Sequence, residues 1–152
     1  MGINDIQPII FRNQPVWREQ VEITLVVAYL AAMIQRIAKI AGWLTLAFIV
    51  YATLSPIEAR PGLTTPHLEH FAAFALMGLA FALAYPSRVL LVVVIVVGAA
   101  VGLEMLQLLT PDRHGRVADA LVKAMGGVCG ISFGQLVSFL WRFKSARPDG
   151  PI

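Results

Sequence analysis

At 152 residues the chain has the length of one ordinary domain, but its composition excludes a water-soluble one. Hydrophobic residues make up 58% and charged residues 14%, and the mean hydropathy is +0.74; a soluble domain carries about 25% charged residues, so lipid must be the solvent for much of this surface. The net charge of +3 is spread over segment ends without interleaved aromatics, which excludes a nucleic-acid-binding face, and the single cysteine, Cys129, cannot close an intrachain disulfide.

Residues 1–20 are polar and carry no periodic pattern. Val21 to Ile34 is apolar but short for a span, since about 20 residues are needed to cross the hydrocarbon. Residues 1–35 therefore read as an N-terminal extension containing a surface-lying or partly inserted helix. The simpler reading is that translation begins at Met33, where Arg36 and Lys39 form a short basic lead into a membrane helix, and the surface-lying helix is the alternative to it. No small-residue cleavage site follows the first long apolar run, so a cleaved signal peptide is not expected.

Four membrane helices follow. The first runs from Ile37 to Leu54 and stops at Ser55-Pro56. The second runs from His67 to Tyr85, between Thr65-Pro66 and Pro86, with Thr65 as N-cap and a proline where its missing N–H costs nothing. The third, Val89 to Leu109, holds the purest apolar run, LLVVVIVVGAAVG. The fourth runs from Val117 to Trp141, and Cys129 within it reads as a small packing residue. Apolar residues surround each helix instead of forming one stripe, as lipid-embedded helices require. The predicted fold is all-α, an integral membrane bundle of about four transmembrane helices over residues 36–141. The N-terminal extension precedes it, and a basic tail, 142–152, follows.

Basic residues mark the cytoplasmic side of a span. With four spans Arg36, Lys39, Arg88, Arg142, Lys144 and Arg147 all fall on one side, so both termini are expected in the cytoplasm and the protein in the plasma (inner) membrane. The opposite face then gathers most of the unusual polar residues. His67, Glu69 and His70 open the second helix, Glu104 and Gln107 close the third, and Arg116, Asp119 and Lys123 open the fourth. The intervening loop, TPDRHG, adds Arg113 and His114. Pairs three or four apart lie one above the other on a helix, so each set presents one face.

Glu104 sits near the negative end of its own helix dipole and Arg116 near the positive end of the next, each badly placed locally. They are expected to pair across the short loop, with Asp119 competing for the arginine. Asp119, Lys123, Gly126, Gly130 and Gly134 form a single stripe that would let a neighbouring helix approach closely. Gly98 and Gly102 lie on another face of the third helix and suggest that it packs on two sides.

The order LEHFAAF (His70), then E-x-x-Q (Glu104, Gln107), then R-x-x-D (Arg116, Asp119) with glycines following resembles the VanZ-like family of small bacterial membrane proteins, named for a member associated with teicoplanin resistance. The resemblance covers Ile37 to Phe139. It implies a membrane bundle whose polar site includes His70, Glu104, Gln107, Arg116 and Asp119. The family usually carries an asparagine four residues after the aspartate, where this chain has Lys123.

Three functional classes fit this pattern. The cluster reads first as a binding site for an anionic or amphiphilic envelope ligand, a lipid headgroup or lipid-linked wall intermediate, held by His70, Glu104, Gln107, Arg116, Asp119 and Lys123. It can also be read as an intramembrane enzyme with His70 and Glu104 as acid and base, or as a structural network that only fixes helix register. A metal site from His67, His70, Glu104 and Asp119 is permitted by spacing but opposed by the neighbouring cations, so neither metal nor cofactor is expected. No nucleotide fingerprint, nucleophile elbow or inverted repeat is present, and the expected partners are membrane lipids.

Overall fold

The computed structural model describes residues 16–55, 65–108 and 117–145. All regular structure among them is helical: α1 (Val16–Leu54), α2 (Pro66–Ala84), α3 (Val89–Leu108) and α4 (Val117–Ser145). Each contains a stretch long and apolar enough to cross a bilayer, so the chain is a multi-pass membrane protein of four candidate spans. Packing divides the chain into two units, Met1–Met33 and Ile34–Ile152. The helix bundle belongs to the second. Of the first, the described residues are the opening turns of α1, where Val21, Leu25 and Tyr29 are exposed.

α1 departs from the expected boundaries. One helix of 39 residues replaces a short segment followed by a separate span from Ile37. Arg36 and Lys39 suggested a break because they are charged, but charge does not interrupt a helix. No proline and no glycine occurs between Val16 and Ala41, and those are the residues that would break it. The other three helices follow the sequence reading within a few residues, α4 continuing past Trp141 to Ser145.

The start of α2 shows how local chemistry sets the register. Thr65 is the N-cap in extended conformation (φ −71°, ψ 137°), and Pro66 opens the helix. The threonine side chain makes no capping bond. Instead its carbonyl accepts from the N–H groups of Leu68 (3.0 Å) and Glu69 (3.2 Å), so the first turn is satisfied through the backbone. At the other end Tyr85-Pro86-Ser87-Arg88 turns directly into α3, with the Arg88 N–H donating to the Tyr85 carbonyl at 3.0 Å.

Three successive spans alternate in direction, so α2 and α4 run parallel, and they form the tightest pair in the bundle. A Cβ placed on Gly126 or Gly130 would fall on the carbonyl oxygen of Phe71 or Ala75, and one on Gly134 would lie 3.3 Å from that of Leu79. The three rungs keep one constant register, each glycine of α4 against the next turn of α2. Gly78 of α2 returns the contact against the Gly127 carbonyl. Small residues that let backbones touch are how membrane helices associate where no hydrophobic drive exists.

α3 closes the third side. Gly127 faces Val96, and Val92, Val96, Ala100 and Leu103 join Phe74, Met77, Phe81 and Ile131 in one buried cluster. The C-terminal half of α1 adds Ile49 to it. α1 docks through side chains: the Phe81 ring lies over Gly42, and Trp43 meets the same ring edge-on at 5.3 Å. Lys39 stands 5.1 Å over the Tyr85 ring. Two expectations fail here. Among the described residues Gly98 and Gly102 have nothing within 4 Å of an added Cβ, so no described helix packs on that face of α3. Cys129 is exposed, because the inward face of α4 is taken by Gly126, Gly127, Gly130 and Gly134.

Candidate functional site

The polar residues converge at the end of the bundle where α2 and α4 begin and α3 ends. Lys123 lies six residues inside α4, roughly 9 Å below its start, and Glu104 lies four residues before the end of α3, roughly 6 Å below it. Their side chains meet: Lys123 Nζ donates to Glu104 Oε2 at 2.6 Å. The lysine side chain is 1% exposed and the glutamate 8%. Gln107, one turn above Glu104, is also buried. A second contact stands nearer the helix starts, where His67 Nε2 of α2 approaches Asp119 Oδ1 of α4 at 3.2 Å. Here the side chains are 55% and 24% exposed.

The site therefore has two tiers joined by α4, because Asp119 and Lys123 are one turn apart on one face. The lower tier is sealed and the upper is open. Interior charge survives only when compensated: moving a carboxylate or ammonium out of water costs several kcal/mol per ion, and the 2.6 Å contact supplies Lys123 with its counter-charge. Asp119 stands in the first turn of α4, where a helix favours negative charge.

Of the residues singled out by sequence, Glu104, Lys123, Asp119 and His67 are brought together in these two contacts, and Gln107 is buried beside them in sequence. His70 and Glu69 are half-buried on the opening turns of α2, and both carry interactions of their own. Arg113, His114 and Arg116 lie outside the described residues, and the expected Glu104–Arg116 pairing lies there with them. What Glu104 does hold is Lys123, which the sequence reading placed on the glycine stripe of α4 without naming a partner. The stripe in fact divides. Gly126, Gly130 and Gly134 turn to α2, while Lys123 turns to α3. Among the described residues no three of His, Cys, Asp and Glu converge as metal ligands.

Sequence reasoning missed one contribution. α1 ends at the same membrane face and brings Thr53 and Ser55, both buried; the Ser55 hydroxyl donates to the Tyr51 carbonyl at 2.7 Å. The signal was a pair of hydroxyl residues in the last turn of an apolar helix, which serves equally as an ordinary helix end. Buried polar atoms are almost all satisfied among the described residues, the exception being Nε2 of Gln135 on α4.

The family model described as VanZ/LLP1 matches residues 6–140 of the chain. Comparison with curated proteins returned no match, and comparison with solved structures returned none.

Proposed function

Because the chain belongs to the VanZ/LLP1 family, matched over residues 6–140, and carries its polar residues at one end of a membrane bundle, we propose that it recognises the anionic headgroup of a cell-envelope amphiphile at that face. A lipid or a lipid-linked wall intermediate has the right chemistry. One observation carries this reading. The closest helix pair, α2 with α4, is parallel, so two positive dipole ends stand side by side at one face, above Lys123, the one Lys or Arg buried among the described residues. Antiparallel neighbours would cancel those fields.

The two helix starts do not contribute alike. In α2 the hydrogen-bonding role is largely closed, since Pro66 has no N–H and those of Leu68 and Glu69 donate to Thr65. α2 therefore supplies field, and α4 supplies the N–H groups of its first turn in the manner of anion sites at helix starts. Arg113 and Arg116, which precede α4 in sequence, add guanidinium groups whose planar donor fork suits phosphate. The orientation that fits is the extracytoplasmic one, with both termini in the cytoplasm, from the six basic residues on the other side.

Titration of the full chain in neutral maltoside detergent with short-chain phosphatidic acid, short-chain phosphatidylcholine and inorganic phosphate tests this by native mass spectrometry. The expected result is preferential binding of phosphatidic acid, weakened by salt and reduced in Arg113→Gln/Arg116→Gln. Equal binding of the two lipids would refute it, and binding of inorganic phosphate alone would reassign the site to a soluble anion.

A further inference from the structure

The lower tier has a feature that headgroup binding alone does not use. An ammonium has three donors, and Lys123 directs one of them to Glu104 at 2.6 Å while the side chain is 1% exposed. A lysine near a membrane face ordinarily snorkels, laying its stem along apolar surface and lifting the charge toward water. This one is instead held inward by a carboxylate on the facing helix. The route upward is short: Asp119 stands one turn above on the same face of α4, in contact with the half-exposed His67.

We propose that Glu104 is an internal placeholder for the anion, and that Lys123 is the residue a headgroup phosphate recruits from it. The proposal rests on the function above and specifies how that site is regulated. Glu104 and an arriving phosphate have the same sign and the same preference for the ammonium, so they compete for it. While Glu104 wins, the cation is neutralised and sealed. When a phosphate at the α2 and α4 starts draws Lys123 upward, the lysine exchanges one charge-assisted hydrogen bond for another, and the cost of parting the Glu104 carboxylate from it is subtracted from the phosphate's affinity. The geometry favours exchange over a simultaneous complex, because the pair is sealed from solvent where it stands, with the lysine 1% and the glutamate 8% exposed. Glu104 thus sets the affinity: weakening its grip makes the site bind anions more tightly, the opposite of what removing a direct ligand would do.

The test uses the full chain in maltoside with short-chain phosphatidic acid, reading dissociation constant and ligand-induced thermal shift for wild type, Glu104→Gln, Glu104→Asp and Lys123→Met. In Glu104→Gln the headgroup supplies the missing counter-charge. The expected tightening is roughly tenfold, the scale of one charge-assisted hydrogen bond, with a larger thermal shift than wild type. Glu104→Asp keeps the charge and the fold but retracts the carboxylate by one methylene, and should tighten binding by a few-fold. Lys123→Met should bind more weakly than wild type, and Glu104→Gln/Lys123→Met should lose the gain. Unchanged or weaker affinity in Glu104→Asp would overturn the placeholder role even if Glu104→Gln fails to fold. Wild-type binding with no Glu104 dependence refutes this inference alone. Absence of a phosphatidic acid preference in every variant refutes the headgroup reading as well.

Discussion

The parallel α2–α4 contact makes a quantitative prediction, because the bundle contains two pairs of glycines in opposite situations. Alanine at Gly126 or Gly130 would put a methyl group on the carbonyl oxygen of Phe71 or Ala75. Those are backbone atoms and cannot rotate aside, so the helices must separate. Overpacking of this kind costs about 1–3 kcal/mol, sometimes more, against a gain of roughly 0.5–1 kcal/mol from replacing a helical glycine. The net loss should be on the order of 1–2 kcal/mol at each site. At Gly98 and Gly102 an added Cβ meets nothing within 4 Å, so only the gain remains, roughly 0.5–1 kcal/mol apiece. With about 2–4 °C per kcal/mol for a chain of this size, thermal unfolding in maltoside followed by circular dichroism resolves the two pairs. Gly126→Ala and Gly130→Ala should lower the midpoint, while Gly98→Ala and Gly102→Ala should raise it. Equal shifts in both pairs, or a stabilised Gly130→Ala, would mean that α2 and α4 do not touch through their backbones.

Two further outcomes follow from the same structure. Glu104→Gln and Lys123→Met should each cost about 3–5 kcal/mol as breaks of a buried ion pair, and the double variant should recover most of that; additive losses would show that the two charges do not compensate each other. For the orientation, Ser87→Cys in the α2–α3 turn should be labelled by an impermeant thiol reagent only from the cytoplasmic side and Arg60→Cys only from outside, in a Cys129→Ala background. The reverse pattern would place the polar tiers in the cytoplasm.

The spans were legible because lipid imposes a plain requirement on sequence: about 20 apolar residues with every backbone group satisfied internally. Thr65-Pro66 and Tyr85-Pro86 bounded α2 where the structure bounds it, with Thr65 serving through its carbonyl and not its side chain. The continuity of α1 was obscured because hydropathy registers Arg36 and Lys39, whereas helix continuity depends on backbone breakers, and none is there. That His67, Glu104, Asp119 and Lys123 stand at one end of the bundle was readable from which helix ends share a face. Its pairing was not. Helical spacing groups Lys123 with Gly126, but their directions diverge by about 60° at 3.6 residues per turn, enough for one to meet α3 and the other α2. The openness of Gly98 and Gly102 was hidden likewise, since a small residue marks a possible close approach without saying whether a neighbour comes.

Carboxylates in a site proposed for anions need a physical reason, and the parallel pair provides one. Two positive dipole ends held side by side repel, and glycine contacts that bring the backbones together increase the repulsion. Glu69 in the first turn of α2 and Asp119 in the first turn of α4 stand where negative charge relieves it, and His67 ties the second of them across the seam. Glu104 does the same for Lys123 one tier below. In the absence of a ligand these acids hold the face together. Under the proposed headgroup reading, an anion entering the same field would take over their task, so its affinity would measure how much better a phosphate performs it than the side chains already there. That ordering explains why a sealed ion pair lies beneath an exposed, half-paired histidine: the outer contact yields first, and the inner one yields only to a charge that replaces it.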